Sequence, residues 1–321
     1  MESLSELRER RAFECRLTPD RALGSLDEAE AFLRDRALLT RTPDCALPSL
    51  YEACHEPPYA PGTAGFGSWP ATKWPWFGAL TERGHLCVGV HRGKNLLVSA
   101  EAAALLDPII RAETDRMRAE DPGWRRLLDH LARVGPSTTE DLRTELSLKR
   151  QELKALRSPL ERCGVIVARS VAMTSGRDHG GGGDAGGGGD AGGGGDAGGD
   201  GHRHDSELSR WDQAYHAPPA AQAGISPTAA TSAMATTVDS SARSASSARS
   251  ASSTTSASSD PAEAFADLLV TAVRAAVVAP EPELRRWFSW SWYWTNTLVD
   301  DLVQAGRLRR LDAHIAATAS G

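Results

Sequence analysis

Apolar residues divide the chain into three blocks. Behind the Ser25-x-x-Glu28 pair, Leu26, Ala29, Leu33 and Ala37 recur at helical spacing and predict a helix with one buried face. A second helix is expected to open at Ser49, after Pro48. The stretch from Gly62 to Gly84 is rich in Gly, Pro and Trp and follows neither the helix nor the strand period. Leu86–Val90 and Asn95–Ser99 then flank the turn-like His91-Arg92-Gly93-Lys94 and read as a hairpin, after which Ser99 caps an Ala-rich helix. The first block, 18–121, is therefore expected to be an N-terminal α+β region.

In the second block, 122–216, Trp124, Leu127, Leu128, Leu131 and Val134 mark a helix face that Gly135-Pro136 ends. Thr138-x-x-Asp141 starts a short helix carrying Leu142 and Leu146. A third helix turns Leu153, Leu156 and Leu160 inward and Lys149, Arg150, Lys154 and Arg157 outward, with Pro159 as a point of kinking or breakage. Beyond Gly164, VIVARSVAM is a strand by its β-branched content. The third block, 261–315, repeats the order. Phe265, Leu268, Leu269, Ala272 and Val273 give one helix, ELRRWFSW a short second, Trp292, Thr295, Val299 and Leu302 a third ending at Gly306, and RLRRL the strand. Helix, short helix, helix, strand is the order of a winged helix. The expected fold is thus mainly α with small β-wings: tandem winged-helix units behind the α+β region.

Composition adds two long insertions. After Met173 the sequence GGGGDA recurs and ends in His202-Arg203-His204, so segment 174–205 interrupts the first wing; Leu208, Trp211 and Tyr215 of LSRWDQAY are the candidate returning strand. Segment 217–260 is almost wholly Ala, Ser, Thr and Pro, too poor in large apolar groups to offset chain entropy, and reads as a disordered linker. No stretch approaches the ~18 apolar residues of a membrane span, and the five cysteines are odd in number, scattered and never C-x-x-C. A cytoplasmic protein, monomeric and without membrane contact, is the expectation.

Net charge of −6 excludes a uniformly basic nucleic-acid binder and moves the question to local patches. From Trp124 to Met173 ten basic side chains face six acidic ones, and from Glu283 to Leu311 five face three. Lys149, Arg150, Lys154, Arg157 and Arg169 are accordingly the candidate duplex contacts, since basic side chains on phosphates fix the register of a recognition helix. Protein–protein winged helices with solvated basic faces remain an alternative. Trp74 and Trp76 beside Lys73 can stack on bases or plug a small core, and Arg92 and Lys94 at the hairpin tip complete the candidate DNA-binding set. Cys45, Cys54, His55, His85 and Cys87 have no zinc-like spacing, so no metal site and no cofactor are expected. Asp44, Glu52 and Glu56 around Pro48 are the carboxylates available to position water at a glycosidic bond, although surface carboxylates are common.

Leu47–Ala53 (LPSLYEA), Trp74-Pro75-Trp76, His91–Ser99 (HRGKNLLVS) and His130–Leu146 (HLARVGPSTTEDLRTEL), in this order and spacing, resemble the AlkZ-related proteins of the winged-helix DNA-binding superfamily, relatives of the AlkZ/YcaQ DNA glycosylases. The resemblance covers most of the chain outside the Gly- and Ser-rich segments. It implies winged helices around a cleft for double-stranded DNA, a place in repair or genome maintenance and, in the glycosylase branch, removal of alkylated or crosslinked bases without metal or cofactor. That branch carries Gln-x-Gln or Gln-x-Asp. Here Gln151, Gln213, Gln222 and Gln304 are followed two positions later by Leu153, Tyr215, Gly224 and Gly306, so the motif is absent and no catalytic residue carries over. A DNA-binding relative, an active glycosylase using another group, and a transcriptional regulator or protein-interaction module all stay open.

Overall fold

The computed structural model describes residues 2–173, 203–216 and 260–318; the insertions 174–202 and 217–259 lie outside the described residues. Within them the chain is mainly helical with three small antiparallel sheets.

One plan occurs three times. A helix leads into a short strand, further helical turns follow, and a hairpin returns to the sheet. The first unit contains α2 (Leu26–Arg36), β1 (Leu38–Thr40), α3 (Trp76–Glu82), β2 (Leu86–His91) and β3 (Lys94–Val98). Its predecessor α1 is Leu4–Glu14, and α4 (Ala100–Glu120) leads out of it. The second unit has α5 (Pro122–Val134), β4 (Ser137–Thr138), α6 (Thr139–Glu145), α7 (Arg150–Arg162), β5 (Ile166–Met173), β6 (Arg203–Arg210) and the short α8 (Trp211–Ala214). In the third are α9 (Pro261–Ala276), β7 (Val278–Pro280), α10 (Glu281–Leu284), α11 (Leu298–Gln304), β8 (Leu308–Leu311) and β9 (His314–Ala317). The strand orders are β1-β3-β2, β4-β6-β5 and β7-β9-β8, so in every sheet the last strand in sequence lies in the middle.

Local chemistry repeats with the topology. Gly84, Gly164 and Gly306 each stand two residues after a helix and two before a strand, at φ of 93°, 74° and 69°. Only glycine adopts this left-handed backbone without steric cost, which makes it the stop between helix and hairpin. Ser25, Ser99 and Thr138 each accept a backbone N–H in the first turn of α2, α4 and α6. Asp121 does the same for α5, ahead of Pro122 at the first helical position.

The returning strand begins at Arg203 rather than Leu208 and ends at Arg210, because Trp211–Ala214 turn into α8, closed by Tyr215 N–H on Trp211 O; four expected helices are corrected as well. Only a single 3-10 turn, Glu52–Cys54, forms after Ser49, because the Ser49 hydroxyl bonds the Arg41 carbonyl and the chain bridges to Thr40. ELRRWFSW is helical only as far as Leu284; beyond it the chain follows the first unit's hairpin through Ser289 N–H to Val90 O (2.9 Å). The helix expected from Trp292 begins at Leu298, because Trp292 and Tyr293 are drawn towards Glu113 of α4. Conversely, α7 runs unbroken through Pro159. Ser158 there bonds the Lys154 carbonyl, one of those facing the proline's own turn.

One apolar cluster spans all three units, joining Val90, Leu96 and Val98 to Ile110 of α4, Leu128 and Leu160 of the second unit, and Leu268 and Trp290 of the third. Alternate residues of β1 and β3 point the other way, Leu39 and Leu97 packing with Phe32, Leu50, Phe77 and Leu80. The first sheet is thereby covered on both faces, which explains why β1 is buried at every position. Leu7 of α1 and Cys15 at its C-cap cover Val277, Val278 and Ala316 of the third unit.

The second unit docks on the first at a glycine. A Cβ at Gly89 would stand 2.8 Å from the Glu161 carbonyl oxygen, a backbone atom that cannot swing aside. Gly89→Ala is therefore expected to lower stability by about 1–3 kcal/mol, read as a lower urea midpoint at unchanged slope.

Candidate functional site

Two surfaces collect the residues with chemical potential. The first is α7. Arg150, Lys154 and Arg157 lie at i, i+4 and i+7, hence on one stripe, with Lys149 at the N-cap. Leu153 and Leu160 are buried on the flank of that stripe, about a quarter turn around the helix. Lys149, Arg150 and Lys154 are exposed and enter none of the ion pairs found among the described residues, whereas Arg157 sits 3.5 Å from Glu161. Burial raises the Glu161 carboxyl above its ordinary value against the pull of Arg157. Arg169 is exposed on β5. The C-terminal end of α7 rests on the first unit, with Glu161 over Gly89 and the exposed Arg162 beside Gly93, whereas the N-terminal end carries three exposed cations.

The second surface is a cleft of about 300 Å³ in the first unit, lined by Thr40, Arg41, Asp44, Trp69, His91 and Lys94 among others. Arg41 caps two rings, 4.7 Å from the centre of Trp69 and 4.3 Å from that of Phe77. Asp44 pairs with Lys94 and lies 3.5 Å from His91 Nε2. Cys45 Sγ is 3.7 Å from the same nitrogen.

The third unit supports two walls of this cleft from behind without lining it. His91 is fully buried and its Nδ1 lies 2.7 Å from the Trp287 carbonyl. A carbonyl can only accept, so Nδ1 carries the proton and the neutral ring directs the Nε2 lone pair at Asp44 and Cys45. Glu283 accepts from Ala46 N–H (2.6 Å) and from Trp287 Nε1 (2.8 Å), tying the Asp44–Leu47 loop to the third unit. Burial opposes ionisation of Asp44, but the hydrogen bond and charge of Lys94 hold it below its usual value. Burial also pulls the His91 imidazole down against the Trp287 carbonyl. It pushes the Cys45 thiol up to about 12 despite a Leu47 backbone hydrogen bond, with Asp44 and Glu283 adding to the rise.

Of the hairpin cations, Lys94 faces the cleft, while Arg92 donates from Nε to the Arg286 carbonyl (3.0 Å) and is otherwise exposed. The aromatic loop gives Trp69 to the cleft, whereas its Lys73, Trp74 and Trp76 do not line it. Lys73 Nζ donates to the carbonyls of Leu23 (2.7 Å) and Cys54 (3.4 Å) and stands 5.3 Å from the Trp76 ring, so this cation is anchored inward. Trp76 is half-buried, and exposed Trp74 packs edge-on to Phe66. Glu56 caps the same loop through Thr72 and Lys73 backbone N–H groups.

The thiols and imidazoles weighed together in the sequence do not assemble. Cys54 donates to Leu50 O, His55 meets Arg16 O and His85 meets Glu30. The set found among the described residues is instead Asp44, Cys45 and His91. Sequence spacing missed it because His91 arrives from the hairpin, 46 residues beyond Cys45. Arg41 was missed too, since nothing in the sequence signals that Trp69 and Phe77 flank it.

No helix of the described residues is long and apolar enough to cross a membrane. Compared with known proteins, the chain matches no protein-family model, no curated protein and no solved structure.

Proposed function

We propose that the three repeated units are winged helices and that the chain is a DNA-binding protein related to the AlkZ-type glycosylases, taking double-stranded DNA in a repair or genome-maintenance role. The observation that carries this reading is the basic N-terminal end of α7, the third helix of its unit, with Lys149, Arg150 and Lys154 exposed and outside the ion pairs of the described residues. In a helix-turn-helix that position enters the major groove by its N-terminal residues while neighbouring cations hold phosphates. The Arg92-Gly93 turn lies at the other end of α7, roughly 18 Å away at 1.5 Å per residue, so both cationic groups fall within the reach of one duplex.

A second reading, base removal, is favoured by one feature: Asp44 stands with Arg41 and Trp69 in a cleft of ligand-binding size. Titrating the purified chain against duplex, single-stranded and alkylated DNA at two salt concentrations, with abasic sites assayed in the same samples, tests both. Salt-sensitive duplex binding without abasic sites is expected for the non-catalytic reading, and base release establishes a glycosylase. Absence of binding to all three overturns the proposal and leaves protein-interaction modules.

A further inference from the structure

One carboxylate oxygen of Asp44, Cys45 Sγ and one ring nitrogen of His91 all lie within 4.8 Å of one another. Two of the three separations are known individually, 3.7 Å from Sγ to Nε2 and 3.5 Å from Oδ1 to Nε2. A tetrahedral zinc ion with ordinary bond lengths sets these edges at roughly 3.6 and 3.4 Å. The ring orientation agrees with that geometry. Because Nδ1–H is committed to the Trp287 carbonyl, Nε2 offers a lone pair, and a backbone carbonyl behind the imidazole is the usual outer partner of a ligating histidine. Asp44 Oδ1 is buried and without a hydrogen-bond partner, while Lys94 occupies the other oxygen. Nε2 meets the Cys45 thiol, but Asp44 Oδ1 faces the same nitrogen with no donor of its own, a gap that a cation fills. Asp44 and His91 also line the cleft, which supplies an entry path and room for a fourth ligand.

We propose that Asp44, Cys45 and His91 form a zinc-binding site with its fourth coordination position open to the cleft. Thiolate, imidazole and carboxylate together are the donor set of zinc rather than of calcium or magnesium. On binding, the Cys45 S–H bond is exchanged for a sulfur–zinc bond and the proton leaves to solvent. The two anionic ligands then balance the charge of the ion. Residues from β2 and from the loop after β1 are clipped together, with the third unit holding the histidine in place.

The test is titration of reduced, chelator-stripped full-length protein with cobalt(II), followed by displacement with zinc(II). The expected result is one cobalt per chain with thiolate-to-cobalt absorption in the near ultraviolet, bleached by zinc. Cys45→Ala removes that absorption, and Asp44→Asn, which keeps the side-chain shape, weakens zinc binding by at least about tenfold. His202→Ala with His204→Ala leaves both signals intact, since that tract carries no thiol. Saturation with cobalt without thiolate absorption, or absorption that survives Cys45→Ala in a folded protein, overturns the assignment.

Discussion

Replacing Lys149, Arg150 and Lys154 together by glutamine is expected to weaken duplex binding roughly a hundredfold near physiological salt and to flatten the log–log salt dependence by nearly three. Each cation that neutralises a phosphate releases about one condensed counterion, so three lost contacts remove about 0.9 of slope apiece. The fall in affinity follows from the same release. All three side chains are exposed and outside the ion pairs of the described residues, so stability should stay within about 0.5 kcal/mol of the parent. Arg157 is kept because Glu161 already pairs with it. Binding isotherms at several salt concentrations decide the matter. An unchanged slope means that α7 does not touch the duplex, whatever else the chain binds.

The largest expected stability effect belongs to Glu113. This residue is buried in α4 and only 1% exposed. It accepts from Trp292 Nε1 (2.8 Å), Tyr293 OH (3.1 Å) and Arg116 Nη2 (2.8 Å), and Arg116 also stacks on Trp292 at 4.8 Å. Glu113→Ala removes the buried acceptor common to three donors on two segments and is expected to cost about 3 kcal/mol, the sum of one charge-assisted and two neutral hydrogen bonds that tie residues 291–294 to α4. Glu113→Gln retains one carbonyl acceptor but meets Arg116 without charge, so about half of that loss is expected. Urea denaturation of the two variants beside the parent provides the check. If Glu113→Ala unfolds at the parent midpoint, the acid does not fasten residues 291–294 to α4.

Helices were the most legible part of this chain. Leu127, Leu128 and Leu131 repeat at 3.6-residue spacing, and caps such as Ser99, Thr138 and Asp121 act within three residues of the N–H groups they bind. The hairpin around Arg92-Gly93 was equally plain, because alternation and turn chemistry are local too. Of the expected returning strand Leu208–Tyr215 only Leu208–Arg210 lie in β6, where Leu208 pairs with both Ala168 and Ser137; Trp211–Ala214 turn into α8 instead. That the first unit, at 26–98, follows the same plan was hidden because the chain between β1 and α3 is long and irregular. The Gly84 stop was its surviving signal, equivalent to Gly164 and Gly306. The overlong helix readings at ELRRWFSW and Trp292 have a different cause. Trp287, Phe288 and Trp290 are apolar at near-helical spacing, yet they are held by β2 and by the common core, a tertiary preference that periodicity does not record.

By itself the sequence determined the helices, their caps, the hairpin and the basic stripe of α7, because each depends on interactions within about one or two turns of chain. Only the tertiary structure decided how many units there are, which end of α7 stays free, and which carboxylate, thiol and imidazole meet. Those outcomes rest on contacts such as Gly89 against Glu161 and His91 against Trp287, 72 and 196 residues apart. Each needs a shape complementarity that no local pattern encodes.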